Sequence, residues 1–212
     1  MLDLLYPHKC QICGKDADIL CDDCLEKGDY YFYQSFKLDN IDDVDAPLVY
    51  RDFVREAMHR YKFNGRRSYA DWFAGFTAEC IKSKLDIWKP DFITYVPLSF
   101  GRWFKRGYNQ SELVAKIISK KLELPLEKTL VKRAFIKKQS SINDEQKRAE
   151  NVKNAFKIKG NAHVENRRIL LIDDVITTGA TICSCANVLR SAGAEKIFVV
   201  SMTKTPIKSK KI

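Results

Sequence analysis

Ile169–Thr181, ILLIDDVITTGAT, is the stretch that decides the fold. Four apolar residues, Ile169 to Ile172, read as a buried strand. Asp173 and Asp174 stand at its carboxyl end, and Thr177, Thr178, Gly179, Ala180 and Thr181 make a tight polar turn. Ile182, Cys185, Ala186 and Leu189 then recur at i, i+3, i+4 and i+7, the period of a helix. Ligands of open α/β sheets bind at the carboxyl ends of the strands. Backbone N–H groups of a Gly/Thr-rich turn, aimed at a helix start, suit a phosphate. Paired carboxylates suit hydroxyls such as those of a ribose. One ligand carrying a phosphate and a diol would satisfy both halves.

The plainer alternative is a strand ending in two acids that cap the next helix. The order of all thirteen residues weighs against it. The string resembles the phosphoribosyl-pyrophosphate (PRPP) motif of the type I phosphoribosyltransferases. That resemblance implies that Asp173 and Asp174 meet the ribose 2′- and 3′-hydroxyls, and that Thr177 to Thr181 wrap the 5′-phosphate.

The chain has 212 residues, enough for one core domain and an appendage. Its net charge of +10 favours an anionic partner: nucleic acid, nucleotide or an acidic membrane surface. No apolar run approaches the roughly 20 residues of a membrane helix, and the start, MLDLLYP, is short for a signal peptide. The expected compartment is therefore the cytoplasm. Thiols stay reduced there, so the seven cysteines suggest metal before disulfides.

Cys10, Cys13, Cys21 and Cys24 form two Cys-x-x-Cys pairs. Two such pairs close together can make one tetrahedral zinc site. Residues 1–28 read as a small zinc ribbon whose folding energy comes from the metal. The aromatic run Asp29–Phe36 suits either a half-buried strand or base stacking, with strand packing favoured. The acids Asp39, Asp42, Asp43 and Asp45 mark a linker, and residues 47–50 a short strand.

Phe53, Ala57 and Tyr61 predict a helix that stops near Gly65. Tyr69, Trp72, Phe73, Phe76 and Cys80 predict a second. DFITYVPL, Asp91–Leu98, reads as the first strand of the central sheet. A basic, aromatic loop follows over residues 99–111, and Leu113, Val114, Ile117, Ile118 and Leu122 trace the next helix. Residues 137–153 lack a clean period, and a loop of that length is usually functional or disordered. Residues 194–202 give the last strand, and a short lysine-rich tail follows.

Taken together, the four cysteines, YKFNG, VPL with RGYNQSELVA, then Arg133, Gln139-Ser140, Arg148, Asn151 and Phe156 precede ILLIDDVITTGAT. The set resembles the ComF family of phosphoribosyltransferase-like competence proteins over nearly the full length. The resemblance implies a type I phosphoribosyltransferase fold, a mostly parallel sheet flanked by helices, with a small N-terminal zinc ribbon. Residues 1–45 would be ribbon and linker, and residues 46–212 the phosphoribosyltransferase-like domain. Leu98 and Ser99 would lie at the pyrophosphate, with magnesium accompanying PRPP, and residues 137–153 would form a hood.

The family resemblance also implies a part in bacterial natural transformation. Single-stranded DNA would be handled on the cytoplasmic side beside a helicase-like partner. Arg102, Lys105, Arg106, Lys132, Lys137 and Lys138 are the candidate DNA contacts. Two classes of activity stay open: a transferase working through Asp173 and Asp174, or a protein that senses PRPP while it binds DNA. The lack of aromatic residues in the hood favours the second. The ribbon and the PRPP motif are expected to occupy separate cores.

Overall fold

The computed structural model describes residues 9–17, 19–133 and 155–206. Its centre is a parallel sheet. Strand β6 (Arg168–Ile176) lies between β3 (Phe92–Tyr95) and β7 (Lys196–Lys204), and the far side of β7 takes β1 (Asp43–Asp45) and β2 (Leu48–Val49). All four pairings are parallel. Parallel neighbours require crossovers, which leave helices on both faces.

Alternation along the central strands serves those two faces. Leu170, Ile172, Phe198, Val200 and Met202 pack toward α2 (Asp52–Phe63), α3 (Tyr69–Lys82) and α6 (Gln110–Leu122). Ile169, Leu171, Ile197 and Val199 pack toward α7 (Ala180–Ser191). Ile169 to Ile172 are all fully buried, each contributing about 1.5–3 kcal/mol. The four helical positions predicted for α7, Ile182, Cys185, Ala186 and Leu189, are buried against the sheet. A two-stranded antiparallel ribbon, β4 (Leu130–Lys132) and β5 (Phe156–Ile158), flanks this core.

The four-cysteine segment is built from turns. Cys10 and Cys13 share a turn closed by Gly14 N–H donating to the Cys10 carbonyl. Cys21 caps α1 (Asp22–Lys27), and Cys24 lies in its first turn. Cys10, Ile19, Leu20, Cys24 and Leu25 join the same buried cluster as Met58, Tyr61 and Phe73. The expectation of a separate core is therefore corrected. A segment this short presents too few apolar groups to close a core of its own, and it uses the α2–α3 surface instead.

Three further readings change. Asp43 and Asp45, expected in a linker, form β1 with Val44, an edge strand on β7. Asp42 fixes that edge by accepting from Ile197 N–H and pairing with Lys196 and Arg190. The division at residue 45 thus falls at the end of a strand of the sheet. Residues 100–106, read as loop, form the helix α5 (Phe100–Arg106), ended by Gly107 in the left-handed region. The aromatic run is extended rather than a full strand. It is held by a single bridge between Tyr31 and Leu48, with Tyr30 and Phe32 buried. The hood, with Lys137 and Lys138, and the lysine-rich tail from residue 207 lie outside the described residues, as does the N-terminal heptapeptide.

Candidate functional site

Strand β3 ends at Tyr95, beside Ile172 of β6, while β6 runs on through Asp173 and Asp174 to Ile176. Beyond the end of β3 opens a cavity of about 280 Å³. Val96, Pro97 and Leu98 wall it from the β3 side, and Asp173, Asp174, Val175, Thr177 and Thr181 from the β6 side. Arg102 and Arg106 reach it from α5, Lys132 from β4, and Lys62 and Tyr50 from the third side. Two carboxylates thus face four cations across one small space.

The two carboxylates differ. Asp173 is buried; its Oδ1 accepts from Asp174 N–H at 2.8 Å and from Ser111 Oγ at 3.3 Å. Ser111 is placed by the start of α6, where Asn109 accepts from the amides of Ser111 and Glu112. Burial, then the neighbouring Asp174 charge, push the Asp173 carboxyl up to about 7. Asp174 instead pairs with Lys62, whose Nζ lies 2.7 Å from its Oδ1.

Lys62 sits in the last turn of α2. That turn is pinned by two tyrosines. Tyr61 hydroxyl donates to the Gln110 carbonyl at 3.0 Å, and Tyr108 hydroxyl donates to the Tyr61 carbonyl. The YKFNG string marked this position in the sequence without giving Lys62 a role. Its role depends on Asp174, a residue remote in the chain, so no local pattern could reveal it. Tyr50 and Ser111 were missed for the same reason.

Gly179 stands at the N-cap of α7 with φ +83°, a conformation that costs glycine little. The turn around it is held from behind. Lys204, buried at the end of β7, donates from Nζ to the Thr177 carbonyl at 3.1 Å. Thr177, Thr178, Ala180 and Thr181 are exposed. Thr177 and Thr181 line the cavity, while Thr178, Gly179 and Ala180 complete the turn between them. Ser99 caps α5, its carbonyl accepting from Trp103 N–H, and lies outside the lining.

Of the candidate DNA contacts, Arg102, Arg106 and Lys132 point into this cavity, and Lys105 does not line it. Burial, then the Arg102 charge, lower the pKa of the Lys132 ammonium. Such crowding of cations favours a multiply charged anion as occupant.

At the other end of the chain, the ligand atoms of Cys10, Cys13, Cys21 and Cys24 all lie within 4.8 Å of one another. Cys13 Sγ and Cys21 Sγ are 3.5 Å apart. Sulfurs around a tetrahedral zinc at about 2.3 Å stand roughly 3.8 Å apart, so the four thiols could hold that ion. Among the described residues, no helix is long and apolar enough to cross a membrane.

Residues 109–212 match the phosphoribosyl transferase domain family. Competence protein ComFC of Streptococcus pneumoniae is 31% identical over 162 residues, covering 75% of this chain and 67% of its own. DNA utilization protein YhgH of Escherichia coli is 28% identical over 202 residues, 92% of this chain and 84% of its own. Competence protein F of Haemophilus influenzae is 36% identical over 119 residues, 54% of this chain and 51% of its own. The match thus spans about half the length of the Haemophilus relative and more of the other two.

Proposed function

The chain belongs to the ComF family of phosphoribosyltransferase-like proteins, and on that premise we propose that its cavity binds PRPP or a related ribose phosphate. The carrying observation is the opposition of Asp173 and Asp174 to Lys62, Arg102, Arg106 and Lys132 across about 280 Å³. A ribose diol donates to the carboxylates. The 5′-phosphate takes the Thr177–Thr181 turn and the start of α7. The pyrophosphate lies beside Leu98 and Ser99, where Arg102 and Arg106 neutralise it.

Magnesium bound with PRPP would supply positive charge for the leaving pyrophosphate, and the carboxylates of Asp173 and Asp174 are the hard oxygen ligands this cavity offers it. The acids and open space beside the cations leave room for such a hard, oxygen-seeking ion. Asp173 and Asp174 hold the sugar ring, and the cation cluster holds the charge of the leaving group.

The cellular role we assign is handling of incoming single-stranded DNA in the cytoplasm during natural transformation, next to a helicase-like protein. Support comes from the competence names of two relatives, the DNA-utilization name of the third, and the +10 charge. Arg102, Lys105, Arg106 and Lys132 are the described residues proposed for that contact, with Lys137 and Lys138 beyond them. A zinc ion on Cys10, Cys13, Cys21 and Cys24 completes the N-terminal segment.

Titration calorimetry with PRPP and magnesium tests the core of this reading. Asp173→Asn with Asp174→Asn should weaken binding by about 3–6 kcal/mol, at roughly 1.5–3 for each charge-assisted hydrogen bond. Unchanged affinity would remove the two carboxylates from the ribose site. Isotope tracking of PRPP with a panel of bases, with and without single-stranded DNA, decides between a working transferase and a PRPP sensor.

A further inference from the structure

Helix α5 carries two different stripes. Arg102 and Arg106, one turn apart, line the ribose-phosphate cavity. Phe100, Trp103 and Phe104 recur at i, i+3 and i+4, yet α5 has no buried residue. Phe100 is 79% exposed, Phe104 78% and Trp103 49%. A helical aromatic stripe normally faces a core; this one faces outward, so packing does not explain it.

The surroundings fit a single strand. Phe100 and Trp103 are stacked, with ring centroids 6.4 Å apart and planes 24° apart. Trp103 also borders a second cavity, about 260 Å³, shared with Arg67, Tyr108 and Lys116. Arg67 lies over the Tyr108 ring at 4.9 Å, and Arg106 over the half-exposed Phe63 ring at 4.8 Å. Aromatic faces interleaved with arginines and lysines are what unpaired bases and their phosphates require. A protein partner could use the aromatic groups but would gain little from so many cations.

We propose that ribose pyrophosphate and single-stranded DNA bind this protein with negative coupling, because both draw on Arg102 and Arg106. This rests on the PRPP and DNA readings above and adds how they interact. A guanidinium engaged by pyrophosphate inside the cavity cannot also neutralise a backbone phosphate on the outer side of α5. The aromatic stripe and Lys105 stay available, so the strand is weakened and not expelled. Linkage makes the effect reciprocal: DNA must weaken PRPP by the same factor. PRPP supply would then set how tightly the protein holds DNA.

The test measures binding of a fluorescent oligothymidylate of about 16 nucleotides. It is done with the full chain, with and without saturating PRPP and magnesium, across a salt series. PRPP should raise the DNA Kd by about 5- to 150-fold, the usual range of such coupling. The log–log salt slope should become shallower by about 1.4, for two phosphate contacts at roughly 0.7 each on single strands. Arg102→Ala should weaken both ligands and shrink the coupling factor. Lys105→Ala should weaken DNA alone and keep the factor. Both side chains are exposed on a helix without buried residues, so neither change should unfold the protein.

Equal DNA affinity with and without PRPP, when each ligand binds alone, overturns the coupling and leaves the PRPP and DNA readings standing. Tighter DNA binding with PRPP overturns it too. Equal loss of coupling in the two variants reduces it to nonspecific charge repulsion and overturns the shared-arginine account. Failure of either ligand to bind alone overturns the underlying reading, and the coupling with it.

Discussion

Lys62 and Asp174 form an ion pair at 2.7 Å across the mouth of the cavity, with side chains only 14% and 15% exposed. Both charges are largely withdrawn from water, so each depends on the other. Lys62→Met keeps the aliphatic stem but leaves Asp174 beside Asp173 with less compensation. The expected stability loss is about 1–3 kcal/mol, below the 3–5 of a fully buried pair. Lys62 also holds the Asp173 pKa down. Asp173 should therefore titrate higher in the variant, read from its carboxylate carbon shift. Titration at the parent pH would mean that Lys62 does not govern the charge of Asp173.

Asp173 makes stability depend on pH in a direction opposite to a salt-bridged acid. Its carboxyl is pushed up to about 7, against about 3.9 in an unfolded chain. Between those values the folded protein holds a proton that the unfolded chain has released. Stability therefore falls as pH rises from about 4 to about 7, then levels off. Asp173→Asn should lose that slope and be more stable than the parent at pH 8, while binding PRPP poorly. Urea unfolding of both proteins at pH 5 and pH 8 measures it. Parallel behaviour of the two would show that the Asp173 proton carries no stability difference.

The parts of the fold legible in the sequence are those whose environment is uniform. Ile169–Ile172 is buried on both faces, so its apolar run needs no partner to be read. In α7 and α3 the apolar stripe faces the core. Helix α5 escaped because its aromatic stripe points to solvent, so periodicity there signals no packing. Strand β1 escaped because Asp43 and Asp45 flank a single apolar residue, and only the edge of β7 supplies its ladder. The cavity was half legible. Asp173, Asp174, Thr177 and Thr181 come from one continuous string, whereas Lys62, Tyr50 and Ser111 are brought there by the fold.

The cysteine segment should support the cavity at a distance. Cys10, Cys24 and Leu25 share a cluster with Met58 and Tyr61 of α2, and Gln11 donates to the Tyr69 hydroxyl at 2.9 Å. Cys10→Ser with Cys13→Ser should abolish zinc in metal analysis. It should also lower the Tm and weaken PRPP, because α2 carries Lys62. Equal zinc in both proteins would refute the metal site. A zinc-free protein with undiminished PRPP affinity would instead show that the shared cluster does not transmit loss of the ribbon to Lys62.

The turn at Gly179 offers the sharpest separation of two causes. Its φ of +83° costs an L-residue about 1–2 kcal/mol. A Cβ there would also collide with the Leu38 side chain. Leu38 packs on the cluster that holds α7, and its segment is tied to that helix by Asn40 donating to Asn187 at 2.6 Å. Gly179→Ala should therefore destabilise by about 1–3 kcal/mol and loosen PRPP by displacing the turn. Adding Leu38→Ala removes the collision and leaves the backbone cost. The double variant should recover part of the PRPP affinity, with the two changes non-additive because they touch. Full recovery would assign the whole effect to Leu38. No recovery, with additive losses, would place it entirely in the backbone conformation at Gly179.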